Sequence, residues 1–160
     1  MLVISLFVQD NHLHIKNSPP TLKVLVETTV KETVVEPETV VEPEIDSIDI
    51  LIKSLIFVES SGRDSVINYS TNAVGCLQIR PIMVREVNRV LSMSGSNIQY
   101  SLDDRLNREK SIEMFMVIYN RYHLKHTLER IARCWNGGPK GHKMKATLGY
   151  WKKVKHNYGR

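Results

Sequence analysis

The residue best placed to do chemistry is Glu59, because it continues an apolar stripe with the spacing of a buried helix face. Five aliphatic side chains precede it at intervals of three and four residues, namely Ile48, Leu51, Ile52, Leu55 and Ile56. Burial raises the pKa of a carboxyl group, and the partial negative charge at a helix C-terminus acts in the same direction. A carboxyl group that stays protonated near neutral pH can donate a proton to a leaving oxygen. The competing interpretation is a structural carboxylate in an ion pair, or a helix end exposed to water.

The cysteine and histidine residues do not predict a metal site or a cofactor. Cys76 and Cys134 lack the CxxC spacing and stand in apolar contexts, which indicates two buried side chains or, alternatively, one disulfide bond. Two histidine pairs have spacings at which a metal could bind, His12 with His14 and His123 with His126. No cysteine or acidic residue stands at ligand spacing beside either pair, so we expect surface histidines.

The elements that would position Glu59 are mostly helices. Residues 63–79 lack a helical stripe and are rich in turn formers, which predicts a small β-hairpin or irregular lobe. Four helices are predicted after it, over about residues 81–92, 101–122, 128–135 and 144–154. The last of these has Met144, Leu148, Trp151 and Val154 on one stripe. In the first helix, Ile50, Phe57 and Val58 widen the apolar stripe to nearly all sides, so we expect that helix to be central.

The N-terminal part of the chain differs in composition from the rest. A hexapeptide of sequence ETVVEP occurs twice in succession from residue 32. Its prolines block helix formation and its like charges repel. Three segments are therefore predicted: an N-terminal strand or docking element over residues 1–26, an acidic linker over 27–47, and a folded domain over 48–160. No apolar run approaches the roughly 20 residues that span a bilayer, and no clear signal peptide is present.

The charge is divided along the chain in a similar way. Residues 1–49 carry three lysines and nine acidic residues, a net charge of −6, whereas residues 50–160 carry nineteen basic and eight acidic residues, a net charge of +11. The whole chain is therefore +5. A basic domain attracts polyanions such as anionic wall polymers, nucleic acid or anionic membrane. Six lysines cluster near the C-terminus, where we expect a solvated face: Lys140, Lys143, Lys145, Lys152, Lys153 and Lys155.

Three short motifs and one tyrosine follow in order along the predicted domain. They are Glu59-Ser60-Ser61-Gly62, then AVGCLQI over residues 73–79, then CWNGGP over residues 134–139, and finally Tyr150. Over about residues 48–158 their order and spacing resemble the motif series of the lysozyme-like superfamily. They are most similar to soluble-type lytic transglycosylases and phage lysozyme-like domains, where the pattern is roughly Glu-Ser, Gly-Leu-Met-Gln, Tyr-Asn-x-Gly-Pro and a late Tyr. The acidic arm lies outside the resemblance.

The resemblance implies a lysozyme-like fold, α+β but mainly α, with a helical body, a small β lobe and a cleft. It implies cleavage of the β-1,4 bond between N-acetylmuramic acid and N-acetylglucosamine, with Glu59 as catalytic acid and base. Gln78 would line the cleft, whereas Asn136 and Tyr150 would shape and orient the site. The full set implied to bind or support substrate is Gln78, Asn136, Tyr150, Trp135 and Ser61, with Trp135 in place of the family's usual Tyr.

The sequence departs from the family pattern in the β lobe, where lysozyme-like domains with a second catalytic carboxylate often place an Asp. Here residues 68–72 read NYSTN, and the nearest acid is Asp64, which we interpret as a turn former. A single-acid mechanism therefore fits better than hydrolysis by two carboxylates. In it, Glu59 protonates the leaving oxygen, the substrate's N-acetyl group assists, and Glu59 then activates the sugar's 6-hydroxyl to give a 1,6-anhydro product.

The favoured function is thus that of a lytic transglycosylase. A two-carboxylate lysozyme and an inactive lysozyme-like module that binds wall or polyanion stay open as alternatives. The expected partner is the glycan strand of peptidoglycan, and nucleic acid is not favoured. The N-terminal arm would dock the domain to a virion or envelope assembly, which places the protein in a phage virion or in the bacterial envelope.

Overall fold

The computed structural model describes residues 45–159. The predictions for residues 1–26, for the linker up to residue 44, and for His12 with His14 lie outside these residues. In chain order the elements are α1 (Ile45–Ser60), β1 (Ile67–Asn68), β2 (Ala73–Val74), α2 (Pro81–Met93), α3 (Arg108–Tyr122), α4 (Leu128–Gly137) and α5 (Thr147–His156). The domain is therefore α+β and mainly helical, as predicted. No helix of residues 45–159 is long and apolar enough to cross a membrane.

Helix α1 buries the stripe that its sequence predicts. All five aliphatic residues of that stripe are at most 5% exposed, and Leu51 and Leu55 are fully buried. The prediction that α1 is central and buried on nearly all sides is wrong for one face, because Phe57 is 56% exposed and Lys53 is exposed beside it. α1 thus has one buried face and one solvent face. The buried face packs on α4 and α5, and burying a large aliphatic side chain contributes about 2 kcal/mol.

The other helices complete one core around α1. α2 packs on α3, and α4 packs on α5. Their largest fully buried side chains are Phe115, Met114, Ile131, Val87 and Val154. Cys76 and Cys134 are both buried and both free, which is the first of their two interpretations. The six C-terminal lysines are all exposed, as expected.

Two helix predictions are wrong in detail. The third helix does not run unbroken from residue 101: a short 3₁₀ helix (Asp103–Leu106) comes first, and the extended backbone of Asn107 separates it from α3. The side chain of Asn107 then caps α3 by accepting a hydrogen bond from the Lys110 amide. In α5, Met144 precedes the helix and Leu148 is 42% exposed. The buried side chains of α5 are Thr147 and Val154, of which only Val154 belongs to the predicted stripe.

The β lobe is small, and one buried guanidinium joins it to the helical body. β1 and β2 pair antiparallel, with Ile67 opposite Val74. Arg105 donates hydrogen bonds to the carbonyl oxygens of Leu102, Asn72 and Ile79, at 2.6, 3.0 and 3.2 Å. Because two of these carbonyls belong to the lobe and the third to the segment before α3, Arg105 fixes the lobe's position.

Gly75 lets the lobe approach Arg105 closely. Its φ is +85°, and a Cβ there would lie 1.7 Å from the Arg105 carbonyl oxygen. Gly95 has a similar φ of +76° but open space around it. The two glycines therefore share the left-handed backbone and differ only in steric surroundings.

Gly75→Ala is expected to destabilise the domain far more than Gly95→Ala. The loss for Gly95→Ala should be about 1 kcal/mol, the cost of a left-handed alanine. For Gly75→Ala it should exceed about 3 kcal/mol, because a backbone atom must also move. Thermal or denaturant unfolding measures both. Equal losses would contradict the tight approach of the lobe to Arg105.

Candidate active site

A cleft of about 690 Å³ separates the β lobe from the helical body. Its floor includes Glu59, at the penultimate position of α1. The lobe contributes Asn68, Thr71 and Gln78, the end of α4 contributes Trp135 and Asn136, and α2 forms the remaining wall. Three of the sequence motifs therefore meet in one cleft, although they are up to 77 residues apart in the chain.

A side chain of α5 forms a hydrogen bond with Glu59 and fixes its position. The hydroxyl group of Tyr150 donates a hydrogen bond of 2.7 Å to Glu59 Oε1. Burial raises the pKa of Glu59 above its ordinary value of 4.5, and the hydrogen bond from Tyr150 opposes this by stabilising the carboxylate. Burial also raises the pKa of Tyr150, so this hydroxyl stays protonated and donates. Tyr150 is not among the residues that line the cleft, so it orients Glu59 without facing the cleft itself.

Gln78 lines the cleft in a strained conformation. Its φ is +50°, in the left-handed region that glycine prefers. Its Nε2 donates hydrogen bonds to the carbonyl oxygens of Val66 and Gly75, at 3.1 and 3.0 Å. No described residue donates to Gln78 Oε1, which leaves that oxygen as an acceptor for a ligand. Strain of this kind persists where the surroundings hold it, often at binding sites.

Trp135 and Asn136 form the opposite edge of the cleft at the end of α4. The Trp135 indole donates to the Leu77 carbonyl at 3.3 Å, and its ring lies 5.0 Å from the ring of Phe115. These contacts fix a flat apolar surface beside the cleft. Asn136 is exposed and has no side-chain hydrogen bond to a residue of 45–159, so its amide group is free to bind a ligand.

The structure places Ser61 apart from this group. Ser61 is exposed, has a φ of +54°, and does not line the cleft. Asp64, the nearest acid after Glu59, also lies outside the cleft lining and forms an ion pair of 2.8 Å with Arg108. Neither residue supplies a second carboxylate or a hydroxyl group to the cleft.

Charged residues of α2, together with Arg80 directly before it, line the cleft wall, and sequence reasoning missed them. Arg80, Arg85, Glu86 and Arg89 all face this space. Glu86 is engaged on both oxygens: Oε1 accepts from Arg89 and Tyr122, and Oε2 accepts from Arg89 at 2.9 Å. These hydrogen bonds lower the pKa of Glu86 to about 2, so it is ionised. In the sequence, these charged residues mark only the polar face of α2. Helical periodicity alone does not distinguish a polar face that borders a cleft from one that borders solvent.

A second recess of about 510 Å³ lies beside the cleft and shares Met83, Glu86 and Trp135 with it. His123 and His126 line it, with their Nδ1 atoms 2.9 Å apart. Both residues are partly exposed and partly buried against the recess, so the expectation of surface histidines holds only in part for this pair. Burial lowers the pKa of His123 to about 4. No group of three or more potential metal ligands occurs within residues 45–159.

Comparisons with known proteins add no assignment to this geometry. No model of a known protein family matches the chain, and no curated protein matches it significantly.

Tyr150→Phe is expected to raise the pKa of Glu59 further, because the hydrogen bond that favours the carboxylate is removed while the burial stays. Carbon-13 NMR titration of the glutamate carboxyl groups measures this directly. Tyr158→Phe is the matched control, since the Tyr158 hydroxyl donates to the Ser47 carbonyl, away from the cleft. A Glu59 pKa unchanged or lowered in Tyr150→Phe would contradict the assignment.

Glu59→Gln is expected to stabilise the fold at pH 7. Because the folded-state pKa of Glu59 is raised, its stabilising contribution is complete below its ordinary pKa of 4.5 and is lost as the pH rises through the folded-state value. Glutamine cannot ionise and still accepts a hydrogen bond from Tyr150. Unfolding at pH 7 and pH 3 should show a gain at the higher pH only. Glu109→Gln, at an exposed position on α3, should show no gain.

Proposed function

We propose that the domain is a peptidoglycan-cleaving glycosidase of the lysozyme-like superfamily, with Glu59 as its catalytic acid. The observation that carries the proposal is the half-buried Glu59 carboxyl, with a raised pKa, in a cleft between a β lobe and a helical body. A protonated carboxyl group in a cleft is what cleavage of a glycosidic bond requires first. The mainly helical α+β architecture is compatible with a lysozyme-like fold.

The other cleft residues suit a sugar ligand. Trp135 offers a flat apolar surface for the face of a sugar ring, and Asn136 offers both donor and acceptor groups for its hydroxyl and N-acetyl groups. Gln78 adds one acceptor from the lobe side. The cleft volume, about 690 Å³, is sufficient for more than one sugar unit.

The charges in the cleft favour the single-acid mechanism of a lytic transglycosylase. Glu86 is the second carboxylate of the cleft lining, and Arg89 and Tyr122 occupy its oxygens. A carboxylate with a pKa near 2 that is held in this way is a weak base and a poor nucleophile. Glu59 therefore protonates the leaving oxygen and then, as a carboxylate, removes the proton of the sugar's 6-hydroxyl. The N-acetyl oxygen stabilises the anomeric carbon between these steps, and the 6-oxygen closes the 1,6-anhydro ring.

Digestion of purified peptidoglycan tests the proposal. Glu59→Gln should lower the rate of fragment release by about 100-fold or more, the scale of a lost general acid. Glu109→Gln removes the same charge from an exposed position outside the cleft and should leave the rate unchanged. Mass spectrometry of the fragments distinguishes the mechanisms, because 1,6-anhydro ends are lighter than reducing ends by one water. Equal rates for wild type and Glu59→Gln would overturn the role of Glu59.

A further inference from the structure

The wall of the cleft formed by Arg80 and α2 carries unpaired positive charge. Arg80 and Arg85 are exposed and line the cleft, and neither forms an ion pair or a side-chain hydrogen bond with a residue of 45–159. Arg89, one turn beyond Arg85, is paired with Glu86 at 2.7 Å. The two guanidinium groups of Arg80 and Arg85 are thus the free charges of this wall.

The remaining groups of the cleft do not neutralise these two arginines. With Glu59 protonated and Glu86 ionised, the charged lining residues of the cleft have a net charge of +2. This charge is separate from the lysine cluster at the C-terminus, none of whose members lines the cleft. A ligand that fills the cleft must therefore place either water or anionic groups against Arg80 and Arg85.

Guanidinium groups in such a position bind anionic oxygens, among them those of carboxylates. Each presents a planar fork of N–H donors that binds a carboxylate through two parallel hydrogen bonds. Peptidoglycan is a glycan whose muramic acid residues carry short peptides with free carboxylates, whereas chitin-like glycans carry none. The site thus has two parts with different chemistry, an acid at the sugar and a pair of cations beside it.

We propose that Arg80 and Arg85 bind the peptide carboxylates of the strand held in the cleft, and so make the domain specific for glycan that carries peptides. The inference rests on the proposed function, since it assigns the substrate of the same cleft. It makes both arginines specificity-determining residues, distinct from Glu59, which acts on the glycosidic bond.

Binding to two matched strand preparations tests this. Both are soluble peptidoglycan strands with acetylated amines, and in one the carboxylates are converted to neutral amides. The Glu59→Gln protein is used in order to prevent turnover. It should bind the carboxylate strands at least about tenfold more tightly than the amidated strands, and the preference should shrink as salt screens the charges.

Arg80→Gln/Arg85→Gln, made in the same background, should lose the preference. Its effect on folding is expected to be small, because both side chains are exposed and free of contacts that hold the fold. Lys152→Gln/Lys155→Gln removes the same charge from the exposed face of α5 and should keep the preference. The control thus separates a local effect in the cleft from the attraction of a basic domain.

The outcomes separate this inference from the proposed function. Equal affinity for both strands, or a preference that survives in the arginine variant, overturns the inference, and wild-type cleavage of peptidoglycan would then still support the proposed function. Absence of binding to either strand overturns both. In another outcome, the protein binds an oligonucleotide of equal charge more tightly than the carboxylate strands, and the arginine variant loses that binding. This result would assign the wall to nucleic acid and overturn the inference.

Discussion

The burial of one face of α1 is the constraint on which the site depends. Leu51 and Leu55 are excluded from water, and the helix can bury them only in one rotational setting. That setting fixes the direction of Glu59, one turn beyond Leu55 and still on the edge of the same face. Core packing therefore places the carboxyl group of Glu59 where it is partly shielded from water. The core raises its pKa, and Tyr150 from α5 fixes its orientation.

The two sides of the cleft are held by different kinds of force. The helical side is fixed by apolar packing, as in the contact of Trp135 with Phe115. The lobe side has two strands of two residues each, so its own sheet contributes few hydrogen bonds. Its shape depends on side chains that bind carbonyl groups, Gln78 within the lobe and Arg105 from outside. Precise placement of the lobe thus comes from polar contacts.

The sequence allowed the helical side to be predicted better than the lobe. The period of α1 alone placed Glu59 at the end of a buried face, and the motifs brought Gln78 and Asn136 to the same cleft. Arg80 and the arginines of α2 were missed, because a polar face has the same pattern whether it borders water or a cleft. The role of Arg105 was missed because its partners are backbone carbonyl groups. Every residue has such a group, so the sequence does not indicate which ones Arg105 binds.

Arg105 binds the lobe without a carboxylate partner, and this sets how the cleft responds to acid. An ion pair is lost when its carboxylate is protonated, but a carbonyl oxygen does not titrate in that range. The three carbonyl contacts of Arg105 therefore do not depend on the protonation state of a carboxylate. The contacts by which Arg105 positions the lobe thus remain available under acidic conditions in which the carboxyl group of Glu59 is fully protonated.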